Sequence, residues 1–259
     1  MDSRRAFLSV STIVFAASAA KTIVWCASMS AMGEMQMPGG WTISMMWMRM
    51  PGQTWLGAAA SFVGMWVVMM VTMMLPSLVP TLWRYREAAG ETGGAHVDWL
   101  TALVAMGYFA VWAVLGVIVF PLGVTLAAIA LREPAIARAV PIGLGVAVLL
   151  AAAGQYTGWK ARHLAFCREA PGHGLTSPAD AGTAWRHGVC LGLHCNQACA
   201  GLTAVLLTLG VMDLRVMAAV MAAITAERLV PNSGRVARAI GVVVVALGLL
   251  IIARAARLG

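Results

Sequence analysis

The sequence predicts an all-α fold, a polytopic transmembrane helix bundle of about seven helices, with six to eight compatible with the spacing. Three observations carry this. Hydrophobic residues make up 61% of the 259-residue chain and charged residues only 11%, against roughly 25% charged in a soluble domain. The mean hydropathy is +0.83. The apolar residues fall into runs near the roughly 20-residue length that crosses a bilayer, with arginines at their ends. In lipid every backbone polar group must be satisfied internally, so such runs are helical.

The runs, in order, are Ala6–Met29, Leu56–Leu75, Trp99–Phe120, Val140–Trp159, Gly188–Val211, Leu214–Leu229 and Val236–Ala253. The first follows Arg4 and Arg5 and contains Ala17-Ser18-Ala19, a small-residue pattern like a signal-peptide cleavage site. The apolar run continues past it through Lys21, which favours a retained helix. The second run meets Pro76 and Pro80, which are expected to end or kink it. Leu122–Leu131 reads as an eighth, interfacial element. The sixth run is short and is expected to dip, to tilt, or to pair with the fifth as a tight hairpin through Met212, Asp213 and Leu214. The whole chain, 1–259, reads as a single integral membrane domain. Its two long connections are a Met-rich outer loop at 31–54 and an inner loop at 160–187.

Basic residues orient the set. With the N-terminus inside, inner segments hold eleven Lys and Arg, including Arg4, Arg84, Arg162 and Arg228, and outer ones hold six, including Arg49 and Arg215. This predicts a multi-pass protein of the bacterial inner membrane with its N-terminus inside. The formal charge of +8 then reflects topology and lipid contact. No basic stripe with interleaved aromatics points to nucleic acid. Five cysteines are an odd number, unlike a secreted disulfide framework.

One run carries Cys190, His194, Cys195 and Cys199. At about 100° per residue, Cys190 and His194 share a helical face, joined by Gln197. Cys195 and Cys199 share another, rotated by roughly 140°. A straight helix therefore offers two half-sites, each needing partners from a neighbouring helix. Gly188, Gly192 and Gly201 let such a neighbour approach closely. The bland account is that cysteine is a small apolar residue suited to burial. An imidazole in a bilayer, however, needs a partner.

Methionine is the second signal. Eight lie between Met29 and Met50, and five between Met65 and Met74. Met65, Met69 and Met73 form one helical stripe, with Trp66, Met70 and Met74 beside it; flexible core filling is the bland account. In the loop, Met35 and Met37 lie on one side of an extended segment, with Glu34 as a nearby oxygen donor. The alternative there is an interfacial belt with Trp41, Trp47 and Trp55. Thioether, thiolate and imidazole donors together select soft metals, above all monovalent copper, with zinc less favoured because methionine is not its ligand.

Weaker signals are His163 and Cys167, four apart and a possible ligand pair if Lys160–Arg168 is helical, and the loop residues His173 and His187. Asp213 and Glu227 are expected to pair with Arg215 and Arg228 or to mark helix ends. Lys21 is expected to snorkel. No glycine-rich phosphate loop, nucleophile elbow, His-Glu-x-x-His helix or haem-attachment motif is present, so no catalytic residues are assigned and the balance is against an enzyme.

Several segments resemble a known family. They are Met65 to Ser77 with Pro80 and Tyr85-Arg86; Gly154-Gln155-Tyr156 to Trp159-Lys160 with Cys167-Arg168; and Gly188 to Cys199 with Gly210 to Leu214 and Met217. Together they are similar to the bacterial predicted metal-binding integral membrane proteins, a domain-of-unknown-function family, over about Trp25 to Leu229. The resemblance implies metal binding and no settled activity. It also implies a denser cysteine group around Cys195–Cys199, where Ala198 stands in this chain and His194 would compensate.

The resulting expectation is a copper(I)-binding and copper-handling membrane protein. Its candidate metal residues are Cys190, His194, Cys195, Cys199, Met65, Met69, Met73, Met35 and Met37. Its partners are the lipid bilayer and a cuproenzyme or membrane complex. The alternative is a subunit or scaffold of a membrane oxidoreductase complex, with Met and Cys as packing or redox residues. Four-residue spacing on a regular helix is poor geometry for a Cys195–Cys199 disulfide.

Overall fold

The computed structural model describes residues 2–31, 33–38, 40–49, 52–91, 96–169 and 180–258. Among these, eight α-helices form: α1 (Asp2–Ala31), α2 (Trp55–Glu91), α3 (Val97–Arg132), α4 (Pro134–Gln155), α5 (Gly158–Glu169), α6 (Ala181–Leu209), α7 (Leu214–Leu229) and α8 (Ser233–Leu258). Six of them, all but α5 and α7, are long and apolar enough to cross a membrane. Two strands, β1 (Glu34–Met37) and β2 (Trp41–Ser44), form an antiparallel hairpin between α1 and α2.

Three elements differ from the sequence expectation. α2 does not end at Pro76 or Pro80 but continues as helix for 37 residues, Trp55–Glu91. Apolar neighbours line both sides of the prolines, and in an apolar surrounding a broken helix would strand more backbone groups than a proline does. Leu122–Leu131 is no separate interfacial element but the continuation of α3 past Pro121. The segment read as an inner loop contains α5 and the start of α6. Asp180 caps α6, accepting the Thr183 backbone N–H at 2.6 Å. That contact, with the Thr183 hydroxyl, holds the Asp180 carboxyl below the usual carboxylate range.

The Met-rich segment is also more ordered than a loop. Met35 faces Ile43 and Met37 faces Trp41 across the hairpin. Gly40 takes a left-handed φ of +74° at the turn, where a side chain would be strained. Trp41 Nε1 donates to the Ala137 carbonyl at 2.8 Å, which fastens the hairpin to the start of α4. A short 3-10 turn, Met45–Trp47, follows, and the Trp47 ring packs at a tilt against Phe62 of α2, centroids 5.3 Å apart.

The bundle has two ends. At one, α1 begins beside the end of α2, where Phe7 meets Trp83 and Arg86 pairs with Asp98 of α3. Tyr85 stacks there on His187 of α6. The other end carries the hairpin. Lys21, within α1, sits 4.7 Å over the Trp25 ring, a cation–π contact that lets the stem stay in apolar surroundings.

The helices that matter most for the interior are α3 and α6, which touch backbone to backbone. A Cβ added at Gly192 would lie 2.8 Å from the Tyr108 carbonyl oxygen, and one at Gly107 would lie 2.7 Å from the Trp185 carbonyl oxygen. A Cβ at Gly188 would collide with the Val104 carbonyl. Small residues at this seam allow the close approach that tight membrane packing uses. Gly201 makes a similar approach to α4, with the Ala151 carbonyl oxygen 2.9 Å from the built Cβ.

Gly188→Ala is expected to force α3 and α6 apart and lower stability by about 1–3 kcal/mol. Gly143→Ala, on a face of α4 with nothing within 4 Å, should be neutral or stabilising. Thermal unfolding of both variants in detergent checks this; equal melting temperatures would remove the seam from the account.

Candidate metal centre

The α3–α6 seam places Tyr108 against the middle of α6. Its hydroxyl lies 2.8 Å from Cys195 Sγ. Cys195 and Cys199 are one turn apart on α6, with sulfurs 3.8 Å from each other. Cys167, on α5, brings a third thiol against Cys195. All three cysteines are free and buried. From α7, Arg228 Nη1 donates to Ser77 Oγ at 2.9 Å and approaches Tyr108 Oη and Cys195 Sγ, each at 3.4 Å. Three helices besides α6, namely α3, α5 and α7, thus converge on Cys195, and α2 joins through the Ser77–Arg228 contact.

The four α6 donors divide over two faces, and only part of the predicted set comes together. Cys190 is exposed on the outside of the bundle. His194 turns to α5, where its Nδ1 lies 2.7 Å from His163 Nδ1. Trp159 flanks His163 and Phe166 packs on His194. Burial, then the neighbouring His194 and Arg162, hold the His163 imidazole below its ordinary value, and the Nδ1–Nδ1 contact requires one ring to donate and the other to accept. α5 therefore supplies both layers: His163 meets His194, and one turn on Cys167 meets Cys195. The hydrogen bond to Cys195, then burial, push the Cys167 thiol up.

The methionines have mixed placements. Met69 and Met73 are buried, as are Met70 and Met74, in the same core cluster as Cys167, Cys195 and Cys199; Met65 packs at its edge. Met37 is buried in a separate small cluster with Ile43 and Ala137, while Met35 is exposed. Met32, Met50, His173 and the Glu34 side chain lie outside the described residues. Cys26 of α1 and Met212, after α6, form a further soft pair toward the hairpin end, with sulfurs 3.9 Å apart.

Among the described residues, no group of three or more His, Cys, Asp and Glu side chains is arranged to hold an ion. The thiols meet in pairs, Cys195 with Cys199 and Cys195 with Cys167. The 3.8 Å Cys195–Cys199 separation is within the reach of two sulfurs bound to one ion at about 2.3 Å each.

Charged groups near the centre are arranged differently from the sequence expectation. Glu227 does not pair with Arg228. Its carboxylate accepts from Lys160 Nζ at 2.8 and 2.7 Å, and Lys160 also contacts Gln155. Successive residues on α7 point about 100° apart, so Glu227 turns to α5 while Arg228 enters the core. Asp213 caps α7, accepting the Arg215 backbone N–H at 2.7 Å, and so marks a helix start. A cleft of about 490 Å³ lined by Gln155, Lys160, Arg168 and Arg238 opens beside the ion pair.

Sequence reasoning missed Tyr108, Ser77 and Arg228 as parts of this centre. Arg228 carried a usable signal: it closes an apolar run, where an ionisable residue is a functional flag. It was read as a topology marker because the run ends one residue later. Tyr108 gave no signal among the aromatics of α3.

Fold and site together define a helical bundle, apolar enough to cross a membrane, with free thiols gathered at its centre. A family model described as PpoB2 copper chaperone matches residues 63–251. The chain belongs to this copper chaperone family. No curated protein and no solved structure matches the chain.

The Lys160–Glu227 pair yields a stability prediction. Glu227→Ala strands a buried ammonium and should cost about 3–5 kcal/mol. Adding Lys160→Met should recover most of that loss. Detergent unfolding curves of the single and double variants test it; a double variant no more stable than the single would contradict it.

Proposed function

We propose that this protein is a multi-pass membrane protein that binds monovalent copper through the buried thiols of α5 and α6 and passes it to a copper-using protein. The observation that carries the reading is the meeting of Cys195 with Cys199 and Cys167 in the core of a chain whose family is a copper chaperone family. Soft thiolates in an apolar, water-poor site prefer copper(I) to harder divalent ions, and a two- or three-sulfur set suits it.

In this reading copper is cargo. Met35, exposed on the hairpin, meets it first, with Cys26 and Met212 nearer the bundle. The stripe of Met65, Met69 and Met73 leads along α2, and the thiols hold the ion more tightly than thioethers because they are charged when bound. His194, paired with His163 on another face of α6, is assigned as an exchange ligand one layer away from the thiols. Met37 packs the hairpin, and Cys190 faces away. The resemblance to predicted metal-binding integral membrane proteins supports the membrane setting. The basic-residue bias supports an N-terminus inside the bacterial inner membrane, which puts the hairpin on the outer side, where a cuproenzyme is reached.

Anaerobic copper(I) loading of detergent-purified protein, followed by elemental analysis, tests this. The native protein should retain stoichiometric copper, and a Cys195→Ser/Cys199→Ser variant with unchanged melting behaviour should lose it. Equal retention by both would overturn the thiol assignment. A Met35→Leu variant should load more slowly at limiting copper while reaching the same final stoichiometry.

A further inference from the structure

Arg228 is 6% exposed and, among the described residues, pairs with no carboxylate inside the apolar bundle. Its neighbour Glu227 is bound to Lys160. The groups that act on its charge are Cys195, Tyr108, Cys167 and Cys199. Its Nη1 is satisfied by Ser77, Tyr108 and Cys195, but its Nη2, fully buried, has no hydrogen-bond partner among the described residues. A guanidinium does not shed its proton in proteins. A buried cation of this kind is costly unless an anion offsets it.

We propose that Arg228 is the built-in counter-charge of the cargo, so that the centre is matched to a bound species of net charge −1, one copper(I) held between the thiolates of Cys195 and Cys199. This rests on the reading that these thiols hold copper(I). Two thiols and one copper(I) ion give a bis-thiolate complex of charge −1 and release two protons to solvent. With Arg228 beside it the assembled centre is neutral, and the free Nη2 gains an anionic group to face. A divalent ion between the same two thiolates makes a neutral complex and leaves the guanidinium uncompensated. Arg228 thus acts on metal choice through charge, without being a ligand; it is a positioning and specificity-determining residue.

The test is a charge cycle on the full-length protein, read as copper(I) affinity by competition with a chromophoric copper(I) chelator. Arg228→Gln should weaken copper(I) by at least about tenfold and lower the ratio of copper(I) to zinc(II) retained. Arg228→Lys, which keeps the charge, should stay within about threefold of native. Cys199→Met keeps a soft donor but removes one negative charge, and alone should also weaken binding. Combined with Arg228→Gln it restores neutrality, so the double variant should bind copper(I) more tightly than either single variant. Native copper affinity and metal ratio in Arg228→Gln, or strictly additive losses in the double variant, would overturn the counter-charge role while leaving the copper reading standing. Failure of the native protein itself to bind copper would overturn both.

Discussion

The structure depends first on the direct backbone contact between α3 and α6. Gly107 on one helix and Gly188 and Gly192 on the other leave no room for a Cβ. That closeness sets Tyr108 Oη 2.8 Å from Cys195 Sγ and fixes the depth at which the thiols lie. Cys195 stands fourteen residues beyond the first residue of α6, about 21 Å along the axis, well inside the bundle. α5 and α7, the two helices too short to be counted among the membrane-spanning candidates, then close on this seam from the sides and bring Cys167 and Arg228.

Charge is distributed on α7 with a consequence for the interior. Two adjacent ionisable residues serve different partners: Glu227 neutralises Lys160, and Arg228 enters the thiol group. The first pair is self-contained and holds α5 to α7. The second cation has hydroxyl and thiol groups as its neighbours, so its charge faces the sulfurs and no carboxylate among the described residues. Thiolate character is what soft-metal binding requires, so the arrangement of α7 bears on function as well as on packing.

Much of the architecture was legible in the sequence because lipid imposes a simple length and polarity rule. The apolar runs became helices, and helical geometry alone separated Cys190 and His194 from Cys195 and Cys199. What the sequence did not reveal was which neighbours would answer each half-site. α5 is short and carries Lys160, Arg162 and Arg168, so hydropathy gave no reason to place His163 and Cys167 in the interior. The prolines of α2 do not end the helix, because proline's local cost is overridden where helix is the best way to satisfy the backbone. The loop methionines could be counted but not placed. Pairing across the hairpin buries Met37 and leaves Met35 outside.

The central claim, that buried thiols hold copper(I), is tested most directly by copper K-edge X-ray absorption on the anaerobically loaded protein. The account predicts a monovalent edge and a first shell of sulfur alone, without nitrogen or oxygen. A shell dominated by nitrogen or oxygen would move the metal away from Cys195 and Cys199 and contradict the account.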